Sequence, residues 1–151
     1  MSDTPPSHTG ASESADEASF EATALSASLT VNDVHTSLTW YRQLGFVVDR
    51  KHEHEGRLLA VSLVAGAVRI LLNQDDGEKG WQRVKGEGFS LQITTAQDVD
   101  AIADRIRSRG FTLASEPADM PWGARMFRLQ DPDGFKLAIS SERRPPPATD
   151  R

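Results

Sequence analysis

The chain has 151 residues, 38% of them apolar, no cysteine, and a formal net charge of -5 with a pI near 5.3. That length supports one compact domain, or two small modules sharing a core. Zero cysteines exclude disulfides, thiolate metal ligands and a thiol nucleophile; the acidic balance argues against nucleic acid as a partner, since phosphate neutralisation needs a basic face; and no apolar run approaches the roughly 20 residues that span a bilayer.

Met1 to Ala18 reads MSDTPPSHTGASESADEA. After Met1 it has no aliphatic side chain larger than alanine, too little apolar area to offset its ordering entropy, so residues 1–21 are expected to form a disordered acidic tail. The stretch lacks a basic segment followed by an apolar one, so no secretory signal is expected and the location is expected to be cytoplasmic. Residues 22–142 are expected to form a single domain: module one over 22–74, a linker over 75–88 and module two over 89–142. The closing residues 143–151, RRPPPATDR, are polar and proline-broken and are expected to be a second disordered tail.

Within module one, Leu25 to Val31 alternates as a strand does. Asn32 or Asp33 suits a helix N-cap. Val34, Leu38 and Tyr41 then follow at i, i+4 and i+7, with Trp40 and Leu44 beside the stripe, and Gly45 takes the left-handed position that ends the helix. Phe46 to Val48 opens a second strand. Glu55-Gly56 is a hairpin turn, Leu58 to Val64 returns, and Ala65-Gly66 turns again into Val68 to Leu72. The segment DDGEKGWQRVKGEG, Asp75 to Gly88, holds four glycines among charged residues and reads as the linker. Module two repeats the order: a strand over Phe89 to Thr94, Asp98 as cap, a helix stripe of Val99, Ile102 and Ile106, Gly110 as its end, then strands at Phe111 to Leu113, Arg125 to Leu129 and Phe135 to Ile139. Asp131-Pro132-Asp133-Gly134 is a turn, since proline presets the bend and glycine accepts positive φ. The basic run Arg105, Arg107, Arg109 reads as a solvated helix face.

The two modules share a phrase. Asp33-Val34, ten residues, Gly45-Phe46 returns 65 residues later as Asp98-Val99, ten residues, Gly110-Phe111. Such a period marks a duplicated βαβββ unit, an α+β fold.

Five phrases in order, Val31-Asn32-Asp33-Val34 with Ser37-Leu38-Thr39-Trp40-Tyr41, Leu44-Gly45-Phe46, Asp98-Val99-Asp100, Pro121-Trp122-Gly123-Ala124-Arg125 and Asp131-Pro132-Asp133-Gly134-Phe135, resemble the vicinal oxygen chelate superfamily: glyoxalase I, extradiol dioxygenases, bleomycin-type and fosfomycin resistance proteins. The resemblance covers Leu25 to Ser140. It implies paired βαβββ modules forming a cup-shaped, partly open mixed barrel around a ligand site, in a homodimer. Metal-dependent members of that family bind a divalent ion through His, Gln or Glu on four strands. Carried over by motif, those positions fall on Ser26, Ile70, Leu91 (or Gln92 with one gap) and Ala138. Ile and Ala cannot ligate, Ser is a poor ligand and Gln92 alone holds nothing, so no metal cofactor is expected. The alternative metal site is His52-Glu53-His54-Glu55, with two imidazoles at i, i+2 beside a hairpin turn.

No G-x-S-x-G elbow or comparable nucleophile phrase is present. Asp131 and Asp133 read as turn residues and not as a carboxylate pair or calcium loop. Trp81 and Trp122 lie outside the helix stripes, where aromatic walls would suit a small-molecule pocket. Arg69, Arg125, Arg128 and Lys136 alternate on strands, and Arg125, next to the Pro-Trp-Gly phrase, could offer its guanidinium to an anionic or carbonyl-bearing ligand. The expected ligand contacts are Trp122, Arg125, Trp81, Arg69, Gln92 and Ser26. The expected function is metal-independent binding of a small molecule, a drug or metabolite, in the cup between the modules. Two alternatives stay open: a divergent metal-dependent lyase, isomerase or dioxygenase of the same superfamily, and an accessory or regulatory module with a vestigial cavity.

Overall fold

A computed structural model describes residues 19–143. The tails expected over 1–21 and 143–151, and His8 with them, fall outside the described residues but for Ser19 to Glu21 and Arg143. Among the described residues no helix is long and apolar enough to cross a membrane.

Module one runs β1 (Ser26–Val31), α1 (Val34–Leu44), β2 (Val47–His54), β3 (Arg57–Ala65) and β4 (Val68–Gln74); module two runs β5 (Ser90–Thr95), α2 (Val99–Ser108), β6 (Ser115–Asp119), β7 (Arg125–Gln130) and β8 (Lys136–Ser141). Each module is a four-stranded mixed sheet, ordered β1-β4-β3-β2 in sheet one and β5-β8-β7-β6 in sheet two, with its first and last strands parallel. No strand of one sheet pairs with a strand of the other, so the described residues form no closed barrel.

The repeated phrase marks the two ends of each helix. The Asp33 carboxylate accepts from the backbone N–H of His35 and Thr36, and Asp98 does the same for Asp100 and Ala101. These are two of the donors a helix start leaves without an intrahelical partner. At the other end the Phe46 N–H reaches the Tyr41 carbonyl at 3.0 Å and Gly45 N–H the Arg42 carbonyl at 3.1 Å. Phe111 and Gly110 bond Ile106 and Arg107 in the same way. This is the paired closure of a helix by a positive-φ glycine, and it places a hydrophobic residue just past the glycine back on the last turn. Phe46 accordingly meets Tyr41 edge to face at 5.7 Å. The same closure corrects the strand expected at Phe111 to Leu113. Those residues wrap the helix end, and the strand begins only at Ser115.

The helix stripes face the core: Val34, Leu38, Tyr41 and Leu44 are buried on α1, and Val99, Ile102 and Ile106 on α2. The two modules share one hydrophobic core. Trp40 on α1 packs against Phe111 of module two at 5.1 Å between ring centroids, and Arg109 donates to the Gln43 carbonyl at 2.7 Å. Tyr41 is fully buried and donates its hydroxyl to Asp131 in the β7–β8 turn at 2.8 Å.

The segment between β4 and β5 joins the modules and also ties them down. Asp75 and Lys85 are buried and paired at 2.7 Å, with Arg83 on the same carboxylate at 3.2 Å. Lys85 also donates to the Asn32 side chain at 2.9 Å, and the Asn32 N–H donates to Asp133 of module two at 2.9 Å.

Candidate functional site

Alternation along each strand gives every sheet one face against its helix and one open face. In sheet one Leu29, Val31, Ile70 and Leu72 are buried toward α1. The open face follows from the register: Ser26 lies opposite Arg69, Ser28 opposite Leu71 and Thr30 opposite Asn73, and Ser62 and Ala60 of β3 extend those rows. In sheet two Phe127, Leu129, Leu137 and Ile139 belong to the shared core. The open rows there run Gln92, Ala138, Arg128 and Ser90, Lys136, Gln130.

A cavity of about 420 Å³ lies on the open face of sheet one, bordered by Asp49, Arg50, His52, Ser62, Arg69 and Leu71. The β2–β3 register skips Asp49, as a β-bulge does, and this turns its carboxylate onto that face. There it accepts from Arg69 at 2.6 Å, and this hydrogen bond holds the Asp49 carboxyl below its ordinary pKa. Arg69 also donates to Ser62 at 2.7 Å. A second cavity, about 270 Å³, lies on the open face of sheet two, bordered by Ser90, Ala114, Arg128, Gln130, Lys136 and Ala138.

The expected ligand residues are distributed unevenly over these surfaces. Arg69 lines the first cavity, with Ser26 paired to it on the edge strand; Gln92 sits on the open face of sheet two beside Ala138. Arg125 lies on β7 two residues before the core residue Phe127, so it points to the helix side. It holds Asp100 of α2 through two nitrogens, at 2.7 and 3.0 Å, and Asp119 of β6 at 3.1 Å. Those carboxylates, Asp100 first, raise its pKa above the ordinary guanidinium range, and all its side-chain nitrogens are engaged. Trp122 and Trp81 are each about half exposed, at 45% and 49%, and line neither cavity. The Trp81 indole lies over Gly77, where a Cβ would sit 2.5 Å from the ring. Asp49, Ser90 and Gln130 also border the cavities, and no motif in the sequence marks them. A bulge carries Asp49 there, and no local pattern announces one.

The four positions matched to metal ligands do not share one surface. Ser26, Gln92 and Ala138 are on open faces, whereas Ile70 is buried beneath α1 and Leu91 packs against the core on the helix side of β5. The open-face neighbours of Ile70 on β4 are Arg69 and Leu71. A guanidinium, an isobutyl group and a methyl cannot ligate a divalent ion, a lone hydroxyl is a poor donor, and the Gln92 amide oxygen has no imidazole or carboxylate beside it to complete a site. Among the described residues no three His, Asp or Glu side chains converge on a point that could hold one. His52 lines the first cavity, while His54 is exposed and faces Glu55 at 3.5 Å.

Two helix-backed βαβββ sheets with open, cavity-bearing faces define a protein of the paired βαβββ-module class. Residues 23–139 match the Glyoxalase/Bleomycin resistance protein/Dioxygenase superfamily, and the chain belongs to that family. Among solved structures it is similar to a member of this superfamily from Sphaerobacter thermophilus DSM 20745, at 26% identity and TM-score 0.66 over 81% of this chain and 98% of that one. It also resembles TioX from Micromonospora sp. ML1, at 19% identity and TM-score 0.63 over 80% and 98% of the two chains. A Vibrio cholerae integron cassette protein matches at 21% identity and TM-score 0.60, over 81% and 96%. No match was found among the curated proteins.

Proposed function

We propose that the chain is a small-molecule-binding protein that works without a resident metal ion, its ligand lying against the open sheet faces and a second copy of the chain closing the cup. The observation that carries this reading is the donor chemistry of those faces, where Ser26, Arg69, Leu71, Gln92 and Ala138 stand in place of metal-binding side chains. A site for an organic ligand needs a shaped concavity with a few polar groups, and both cavities supply that. The dimer is supported by the edge strands β1, β2, β5 and β6, each hydrogen-bonded to a neighbour on one side only, which leaves four edges and two faces for a partner. The cysteine-free composition suits a cytoplasmic location.

Incubating the purified protein with nickel, zinc or manganese and measuring bound metal after gel filtration is expected to show no stoichiometric ion. One tight ion per chain would overturn the reading and favour a metal-dependent enzyme using His52. A thermal-shift screen against bleomycin-type glycopeptides and aromatic metabolites is expected to give at least one positive shift; silence across it would favour an accessory module. Sedimentation is expected to show twice the 16.5 kDa chain mass, and a monomer at all concentrations would remove the closing partner.

A further inference from the structure

Resting on the binding reading above, we infer that the cavity on sheet two takes a small organic anion, a carboxylate or phosphate on a compact apolar body, held between Arg128 and Lys136.

Across the β7–β8 pair Arg128 lies opposite Ala138, and Lys136 lies opposite Gln130. The two cations are therefore diagonal neighbours on one face, roughly 7–8 Å apart at the backbone, a separation their long side chains can close onto one group. Both border the same 270 Å³ cavity. Two positive charges so placed repel each other unless something negative lies between them.

Carboxylates hold several strand and linker cations; Arg50, Lys51, Arg57 and Lys79 have no ion pair among the described residues, but Arg128 and Lys136 are two unpaired cations on the border of one cavity that carries no acid. Asp49 holds Arg69, Asp100 and Asp119 hold Arg125, and Asp75 holds Arg83 and Lys85. The two acids of β6 are committed elsewhere, Glu116 to Arg107 and Asp119 to Arg125. Among the described residues no carboxylate lies within ion-pair distance of Arg128 or Lys136. The open rows beside them carry Ser90, Gln92, Gln130 and Ala138 and no acid. In a chain with 22 acidic and 17 basic residues, two adjacent cations in a cavity without a counter-ion stand apart. Arginine offers a planar fork that matches carboxylate or phosphate oxygens, and the lysine adds a point charge to the same group. Ala114 and Ala138 leave room beside that charge for an apolar body, and the volume, at the small end of ligand pockets, limits its size. A cationic ligand is repelled by the same pair.

Isothermal titration of the full chain with four probes of one shape tests this: 1-naphthoate, 1-naphthyl phosphate, neutral 1-naphthylmethanol and cationic 1-naphthylmethylamine. At least one of the two anions is expected to bind tenfold or more tighter than the alcohol, and the amine weakest of all. R128Q and K136Q are each expected to weaken that anion about tenfold, as is raising KCl from about 50 to about 500 mM, while leaving the alcohol unchanged. Both side chains are exposed and unpaired within the described residues, so the variants should unfold at or slightly above the parent temperature, which separates lost binding from lost fold. R128K should retain part of the affinity, since it keeps the charge and loses the fork. Equal binding of anion and alcohol, or parent-like anion affinity in both R128Q and K136Q, would overturn the inference while leaving small-molecule binding standing. No binding by any probe would also overturn it, and the wider ligand screen would then decide whether the chain binds a small molecule at all.

Discussion

Asp131 sits buried in the β7–β8 turn with three donors on its carboxylate: the Tyr41 hydroxyl at 2.8 Å and the N–H groups of Asp133 and Phe135 at 2.9 and 2.8 Å. Burial nevertheless prevails over those hydrogen bonds and raises its pKa, and burial together with the Asp131 charge raises that of Tyr41, so the phenol stays a donor. A raised folded-state pKa contributes stability at low pH that is lost as the group ionises, so above that raised pKa the charged form of Asp131 costs some stability. Asp131→Asn can still accept both backbone bonds through Oδ1 and donate to the Tyr41 oxygen through its amide. It is expected to be at least as stable as the parent at pH 7, with a flatter pH dependence between pH 4 and 7. Tyr41→Phe leaves a buried carboxylate oxygen short of a donor and is expected to cost about 2 kcal/mol. Urea titrations at the two pH values check both, and a large loss in Asp131→Asn at pH 7 would show that the negative charge is itself required. The sequence announced Asp131 as a turn residue and Tyr41 as core. That they meet, 90 positions apart, depends on how the modules pack.

At the scale of elements, both helices and seven of the eight strands follow patterns visible in the chain, because caps, glycine ends and alternation act over fewer than a dozen residues. Phe111 to Leu113 looked β-prone and was claimed by the helix end, since a hydrophobic residue after the terminal glycine packs back on the last turn. The glycine-rich segment 75–88 has a linker's composition, yet it buries Lys85 against Asp75 because Asn32 and the β7–β8 turn lie where the strap passes. The Lys85 hydrogen bond, followed by the Gly77 N–H and then Arg83, holds the Asp75 carboxyl far below its ordinary pKa. A lowered carboxyl pKa contributes stability above the unfolded value and loses it as pH falls below that value, about 4. The chain is therefore expected to lose stability steeply below about pH 4, and Asp75→Asn to remove part of that acid dependence while lowering the melting temperature at pH 7. Lys85→Met, which leaves the carboxylate with only the Gly77 N–H and the half-exposed Arg83, should lower it further. Thermal unfolding across pH 3 to 7 reads these effects, and an unchanged acid limb in Asp75→Asn would rule out the strap as its source.

For the whole molecule, one core spans both modules, with Trp40 against Phe111 at the join. Phe111→Ala is expected to cost about 2 kcal/mol, and calorimetry of parent and variant should show a single transition, because neither module buries its surface without the other. Two separated transitions would mean that the modules fold independently. Asp-Val, ten residues, Gly-Phe, stated twice, was enough to settle the duplication, the helices and the α+β class, since each of those depends on neighbours close in sequence. The site was legible only by half. Alternation shows that one face of a strand is distinct, but which face is open depends on where the helix lands. The tertiary structure thus put Ile70 and Leu91 under helices, engaged Arg125 with Asp100, turned Asp49 onto Arg69 through a bulge, and left Arg128 and Lys136 side by side without an acid. Pairing of charges is decided by distance in space, and one strand cannot report what its neighbours bring.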